Sequence, residues 1–191
     1  MKKKLGAKPL ILPMPALLVG TYSDDGTPNA MTAAWAAVCC HRPFCVGVAV
    51  RQSRKTFANV EFKKAFTLNV PNTSLARAVD YLGIVSGAQE PGKLEIAKLE
   101  TVAASKVDAP IITQCPVNME CQLIQTLPLG SHSWFVGQVA EVQVSEEVMD
   151  SDGVIDTKSL DPLIYITTDS KYYTVGESVG QAFSMGKTLS R

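Results

Sequence analysis

The chain has 191 residues, 46% of them hydrophobic and 19% charged, and its 18 Lys plus Arg balance 18 Asp plus Glu. That size and composition describe one globular domain over residues 1–191, exclude a disordered chain, and leave no broad basic field to attract nucleic acid. No apolar run reaches the roughly 18 residues of a membrane span, and Pro9, Pro13 and Pro15 interrupt the stretch where a signal peptide needs its apolar segment; a cytoplasmic location without a membrane partner is expected.

Residues 16–22 read as a strand that ends at Ser23-Asp24-Asp25-Gly26, a run with hairpin-turn chemistry. A second strand is expected over 29–38 and a third over 44–50, with small and β-branched residues suited to close packing inside a barrel. Arg51-Gln52-Ser53-Arg54-Lys55-Thr56 breaks the pattern and opens a helix, with Phe57 and Val60 on one face and Ser53 or Thr56 near its start. Residues 65–70 form a fourth strand ended by Pro71. A second helix follows, capped by Asn72, Thr73 or Ser74, striped by Leu75, Ala78, Val79 and Leu82, and stopped at Gly83.

The polar stretch 86–98 reads as loop plus a short helix. Long strands are expected over 117–126 and 133–144, the second with Phe135, Gly137, Val139 and Glu141 on one face and Trp134, Val136, Gln138 and Ala140 on the other. Residues 163–167 make the last clear strand, and Gly176, Gly180 and Gly186 mark a flexible C-terminal segment. Strands without regular βα alternation predict a mainly β fold, an antiparallel barrel with helices flanking it.

The usual nucleotide cradles are missing: there is no Walker A sequence and no GxGxxG after a strand. Only His41 and His132 are present, and no GxSxG elbow supports a hydrolase. The five cysteines form no CxxC pair. Cys39 and Cys40 are strand neighbours that point to opposite faces, so small buried thiols are expected rather than disulfides.

Three segments carry candidate chemistry. Ser53, Arg54, Lys55 and Thr56 place two cations and two hydroxyls between a buried strand and a helix start, where free N–H groups and the macrodipole favour an anion such as a terminal phosphate. An ordinary cap with solvated basic neighbours is the equal alternative. In Asn29-Ala30-Met31-Thr32-Ala33-Ala34-Trp35, small side chains let a flat ligand approach the backbone, Thr32 adds a hydroxyl and Trp35 an aromatic face; tight barrel packing is the plainer reading. Asn69, Val70 and Pro71 put an amide at a strand end beside a proline that leaves neighbouring backbone groups free.

In combination these segments resemble the flavin reductase-like, FMN-binding split-barrel family, in its flavoredoxin-type branch. The resemblance runs through Asn29 to Trp35, Ser53-Arg54-Lys55-Thr56, Phe66-Thr67-Leu68-Asn69-Val70-Pro71, Ser86-Gly87, Cys115 to Cys121, Gly130 to Gly137 and Asp161-Pro162-Leu163-Ile164-Tyr165, and covers nearly the whole chain. It implies an antiparallel split β-barrel that binds FMN. Met31, Thr32, Ala33 and Ala34 would lie along the ring and ribityl chain, with Asn29 and Trp35 beside them. Ser53, Arg54, Lys55 and Thr56 would hold the phosphate, and Asn69, Val70 and Pro71 would stand near the ring.

No side-chain catalyst is implied, because the chemistry belongs to the flavin; His132 matches a histidine that in some relatives stands near the nicotinamide of NAD(P)H. The resemblance further implies a homodimer with flavin sites near the subunit boundary. NAD(P)H is the expected electron donor, a redox protein partner the alternative, and a ligand-binding barrel that has lost flavin a third reading. One departure is Pro91-Gly92-Lys93-Leu94 where relatives carry Asp-Lys-Phe, which leaves the role of Lys93 open.

Overall fold

The computed structural model describes residues 1–189. Its strands, in chain order, are β1 (Met14–Pro15), β2 (Leu17–Tyr22), β3 (Pro28–Ala33), β4 (Ala36–His41), β5 (Phe44–Arg51), β6 (Ala65–Val70), β7 (Thr101–Ala103), β8 (Pro110–Ile112), β9 (Val117–Pro128), β10 (His132–Val144), β11 (Ile164–Ile166) and β12 (Lys171–Tyr173). The helices are α1 (Lys55–Lys63), α2 (Ala76–Ile84), α3 (Lys93–Ile96) and α4 (Thr157–Leu160). Seven strands form one antiparallel sheet in the order β3-β2-β6-β9-β10-β5-β4.

The two edges of this sheet, β3 and β4, are consecutive in the chain and separated only by Ala34 and Trp35. So short a link forces the sheet to curl until its edges meet at one end. The apolar interior shows the same curl. Met31 and Ala33 of β3 and Val46, Val48 and Val50 of β5 stand at opposite ends of the strand order, yet share one buried cluster with Phe66, Leu68 and Phe135. No ladder joins β3 to β4, so the barrel is split along that seam. Irregular pairing between Val136 and Gly137 and between Val139 and Glu141 adds the local bend that a tightly curled sheet needs.

β2 is buried on both faces, which explains its unbroken apolar run. Leu17 and Val19 face the barrel interior, while Leu18 packs outward with Val79 and Leu82 of α2 and Ile112 of β8. Fully burying each of these large side chains contributes about 1.5–3 kcal/mol.

Mainly β architecture with flanking helices agrees with the sequence reading, and most element positions agree within a few residues. The differences are local. The single strand expected over 29–38 is two strands, because the chain turns from one sheet edge to the other at Ala34-Trp35. The second helix runs through Gly83 to Ile84. α1 is capped by Arg54 in extended conformation, with no side-chain cap from Ser53 or Thr56. The small hairpin β7–β8 and strand β12 carry too few residues for a periodic signal. All five cysteines are free, but Cys39 is exposed and Cys40 half-buried, so only Cys45, Cys115 and Cys121 are buried thiols. Among the described residues no helix is long and apolar enough to cross a membrane.

Candidate ligand cleft

The β3–β4 seam shapes a continuous cleft. Trp35 is fixed at its floor by a hydrogen bond in which Ala49 N–H of β5 donates to the Trp35 carbonyl at 2.8 Å. A cavity of about 220 Å³ runs from Met31, Thr32, Ala33 and Ala34 on one wall to Ala49, Arg51 and His132 on the other. As an edge strand, β3 leaves one row of its peptide groups unpaired by any neighbouring strand, so donors and acceptors face this space without side-chain help. The Thr32 hydroxyl is already engaged, donating to the Val79 carbonyl of α2. Trp35 and His132 stack with centroids 4.8 Å apart and planes tilted 38°, and Trp35 remains 42% exposed. Burial, followed by the nearby Arg51 charge, lowers the His132 pKa below its ordinary value, so the imidazole is neutral at pH 7. The Ser131 hydroxyl meets its Nδ1 at 2.9 Å.

Arg54 and Met31 also belong to a narrow corner at the far end of β3, lined further by Asn29, Lys55, Thr56, Gly87 and Lys93. Three cations converge there, and no carboxylate is among the described residues that line it. Lys93 is 2% exposed; burial, then the charges of Arg54 and Lys55, push its pKa down to about 8. Its ammonium donates to the Val85 carbonyl at 3.1 Å, and the Arg54 guanidinium donates to the Gly83 carbonyl at 3.2 Å. Those two carbonyls lie at the end of α2, so the helix terminus aims both cations while leaving their other N–H groups available. The start of α1 adds the backbone N–H groups of Lys55 and Thr56, whereas that of Phe57 donates to the Arg54 carbonyl at 3.0 Å.

Two further details concern how the corner is packed. Asn29 is buried, its amide nitrogen donating to Thr56 Oγ1 at 3.0 Å and its Oδ1 lacking any partner. Exchanging the amide oxygen and nitrogen gives a consistent alternative: the Thr21 and Thr56 hydroxyls donate inward, and the amide N–H groups become the free end. A Cβ at Gly87 would lie 2.2 Å from that amide oxygen, so only glycine permits this approach. The donor set and its excess positive charge fit a phosphate, since three cations and no carboxylate line the corner.

Of the residues singled out from sequence, the structure brings Asn29, Met31, Thr32, Ala33, Ala34, Trp35, Arg54, Lys55, Thr56 and His132 around the cleft and its corner. Ser53 is exposed on the turn before α1 and lines neither space. Asn69, Val70 and Pro71 also line neither. The Asn69 amide donates to the Leu18 carbonyl and Thr67 Oγ1, and its oxygen accepts from Ile112 N–H and Asn118 Nδ2. All four of its bonding positions are used, and it ties β2, β6, β8 and β9 together. The Pro71 carbonyl accepts from Leu163 N–H at 3.2 Å, so that backbone is not free either. Lys93 and Gly87 were not assigned to the cleft from sequence. Both stand only within the family resemblance, Gly87 in Ser86-Gly87 and Lys93 in a departure that leaves its role open; in the structure Lys93 and Leu94 are both buried.

A family model for the flavin reductase like domain matches residues 10–176. The chain belongs to the flavin reductase-like family. Within it, the flavoredoxin of Desulfovibrio vulgaris (Miyazaki F) superimposes with a TM-score of 0.92 and 39% identity, covering 97% of this chain and 100% of that one. The flavoredoxin of Methanosarcina acetivorans gives 0.91 and 29%, with 99% and 100% covered. A protein of Archaeoglobus fulgidus, described only as uncharacterized, is 34% identical over 131 residues, 69% of this chain and 73% of that protein. The two flavoredoxins share this chain's fold over nearly its whole length.

Proposed function

We propose that this flavin reductase-like chain binds FMN and passes electrons through it, with NAD(P)H as donor. The observation that carries the reading is the convergence of Arg54, Lys55 and Lys93, without a carboxylate, at the narrow end of a cleft that widens onto Trp35 and His132. In this reading Arg54, Lys55, Lys93 and the first turn of α1 bind the phosphate. Asn29, held by Thr56 and given room by Gly87, orients it. The small side chains at 30, 33 and 34 let the ligand lie against the backbone of β3, whose unpaired edge offers hydrogen bonds to a heterocycle. FMN, when bound, supplies two-electron chemistry and can release electrons singly or in pairs. His132, neutral and hydrogen-bonded to Ser131, stands at the wide end, where a nicotinamide would enter.

A second reading keeps FMN but replaces NAD(P)H by a redox protein; the 39% identity to a flavoredoxin over the whole of that chain favours it. We further propose a homodimer, because β4 is an unpaired sheet edge that carries Val38, 77% exposed, and Phe44 at the start of the adjoining β5 is 59% exposed. Two measurements separate these readings. The purified protein should show the visible flavin bands or gain them, and thermal stability, on adding FMN. Anaerobic stopped-flow mixing of the FMN-loaded protein with NADH or NADPH should bleach those bands. Bleaching supports the reductase, a stable flavin spectrum under both nucleotides supports the carrier, and failure to bind FMN rejects both.

A further inference from the structure

Cys39, Cys40 and Cys45 meet near the end of the β4–β5 hairpin. Cys40 and Cys45 are direct cross-strand partners, and the next pair, His41 and Phe44, closes the hairpin through Arg42-Pro43. Directly opposite residues share a face of the sheet and hold their Cβ atoms about 4.5–5.5 Å apart. A disulfide needs roughly 3.5–4.5 Å, so a small closure at the tip of a two-residue hairpin suffices. The register adds a third thiol. Between Val38 and Cys40 β4 advances two residues while β5 advances one, from Val46 to Cys45. Cys39 is thus the extra residue of a bulge, and the alternation of faces expected for Cys39 and Cys40 is broken there.

Both neighbours act on Cys45, whose pKa is raised by burial first, then by the charges of Cys40 and Cys39 and by a hydrogen bond with Cys40. The three differ in access: Cys39 is exposed, Cys40 half-buried and Cys45 buried. Val46, Val48 and Val50 point into the barrel interior, so Cys45 stands on the outer face of β5. The remaining cysteines are poor partners. Cys121 faces the interior on β9, two strand spacings from β5 across β10, roughly 9–10 Å and beyond the reach of a disulfide. Cys115 is packed in the separate cluster under α2. Burial pushes both of these thiols up to about 12, which leaves them inert at neutral pH.

We propose that Cys40 and Cys45 form a reversible oxidation site, a dithiol that a peroxide converts into a cross-strand disulfide pinning the edge strand β4 to β5. The Cys40 thiolate attacks one peroxide oxygen, the O–O bond breaks and water leaves, giving a sulfenic acid. The Cys45 sulfur then attacks the Cys40 sulfur, the S–O bond breaks and a second water leaves. The two thiols lose two electrons and two protons, and one hydrogen peroxide becomes two waters. None of the residues assigned to the phosphate corner takes part, so the site stands or falls apart from the flavin reading.

The test treats the reduced, full-length protein with one equivalent of hydrogen peroxide and counts thiols in denaturant. The count should fall from five to three, the two lost being Cys40 and Cys45, and dithiothreitol should restore it. Blocking free thiols with N-ethylmaleimide, then reducing and labelling with iodoacetamide, should place the second label on Cys40 and Cys45 by tandem mass spectrometry. The bridge should lie within one chain, so denaturing gels without reductant should show no covalent dimer. Cys40→Ser should abolish the bridge and Cys39→Ser should leave it intact. Because Cys45 is buried, the labelling of the unmodified protein decides its part without a variant that has to fold. Five free thiols after peroxide, or a loss that dithiothreitol does not reverse, would overturn the proposal. So would a second label on Cys39, a covalent dimer, or a bridge that survives in Cys40→Ser.

Discussion

A lysine that is 2% exposed and faces two other cations is an unusual use of free energy. Lys93 gains nothing from its surroundings in the free protein except one carbonyl contact, and its lowered pKa records that cost. Because the folded value, about 8, lies below the unfolded one, the unfolded chain binds more protons between about pH 8 and 10.5, and Lys93 makes the free protein more stable as pH rises through that window. Below it the burial cost is present in full. A bound phosphate reverses the preference by favouring the ammonium, so binding above pH 8 must take up a proton. FMN affinity is therefore expected to fall by up to about tenfold per pH unit above pH 8. Lys93→Met should raise the melting temperature of the FMN-free protein at pH 7, weaken FMN at least tenfold, and flatten the pH slope, all readable by calorimetry.

At the scale of elements, the cleft depends on strands that never touch it. Glu120 of β9 is fully buried, and its carboxylate accepts from the backbone N–H groups of Ser105 and Lys106, the Ser105 hydroxyl and Gln143 Nε2, at 2.6–3.0 Å. Burial raises its pKa and these hydrogen bonds lower it, with a net value below the ordinary one. The bonds hold the β7–β8 connection against β9, and through Thr67, which donates to the Pro110 carbonyl at 2.6 Å, against β6. Glu120→Ala would strand two buried N–H groups and should cost about 2–3 kcal/mol in urea denaturation. The gap between variant and parent should be full at neutral pH and shrink as pH falls below about 4, because a group with lowered pKa loses its contribution on protonation.

The sequence showed the strands and helices of this framework through their apolar runs, but not how they are joined. Asn69 illustrates the difficulty: an amide at a strand end has the same one-dimensional signature whether it faces a ligand or, as here, closes a four-bond knot between strands. Ala34-Trp35 is the converse case. Two apolar residues within an apolar run carry no turn chemistry, and only the sheet closure reveals them as the hinge between both edges.

Across the whole molecule, the balance of 18 basic and 18 acidic residues conceals a strongly uneven distribution. Within one cleft, three cations sit at one end and an uncharged, indole-lined space at the other. The exposed edge of β4 makes a dimer the expected state in solution, with a mass near twice 20.5 kDa by light scattering, and Val38→Lys should shift it toward monomer. Nothing in composition announces this polarity, because Lys93 and Arg54 are separated by 39 positions in the chain, and only the packing of α3 against the end of α2 unites them.

The claim beneath all of this is that the corner at Arg54, Lys55 and Lys93 grips a phosphate. Parallel titration with FMN and with riboflavin, which differ only by that phosphate, tests it most directly. FMN should bind at least a hundredfold more tightly, equivalent to about 2.7 kcal/mol or more, and Lys55→Glu should remove most of the difference while leaving riboflavin binding unchanged. Equal affinity for the two flavins in the unmodified protein would contradict the account.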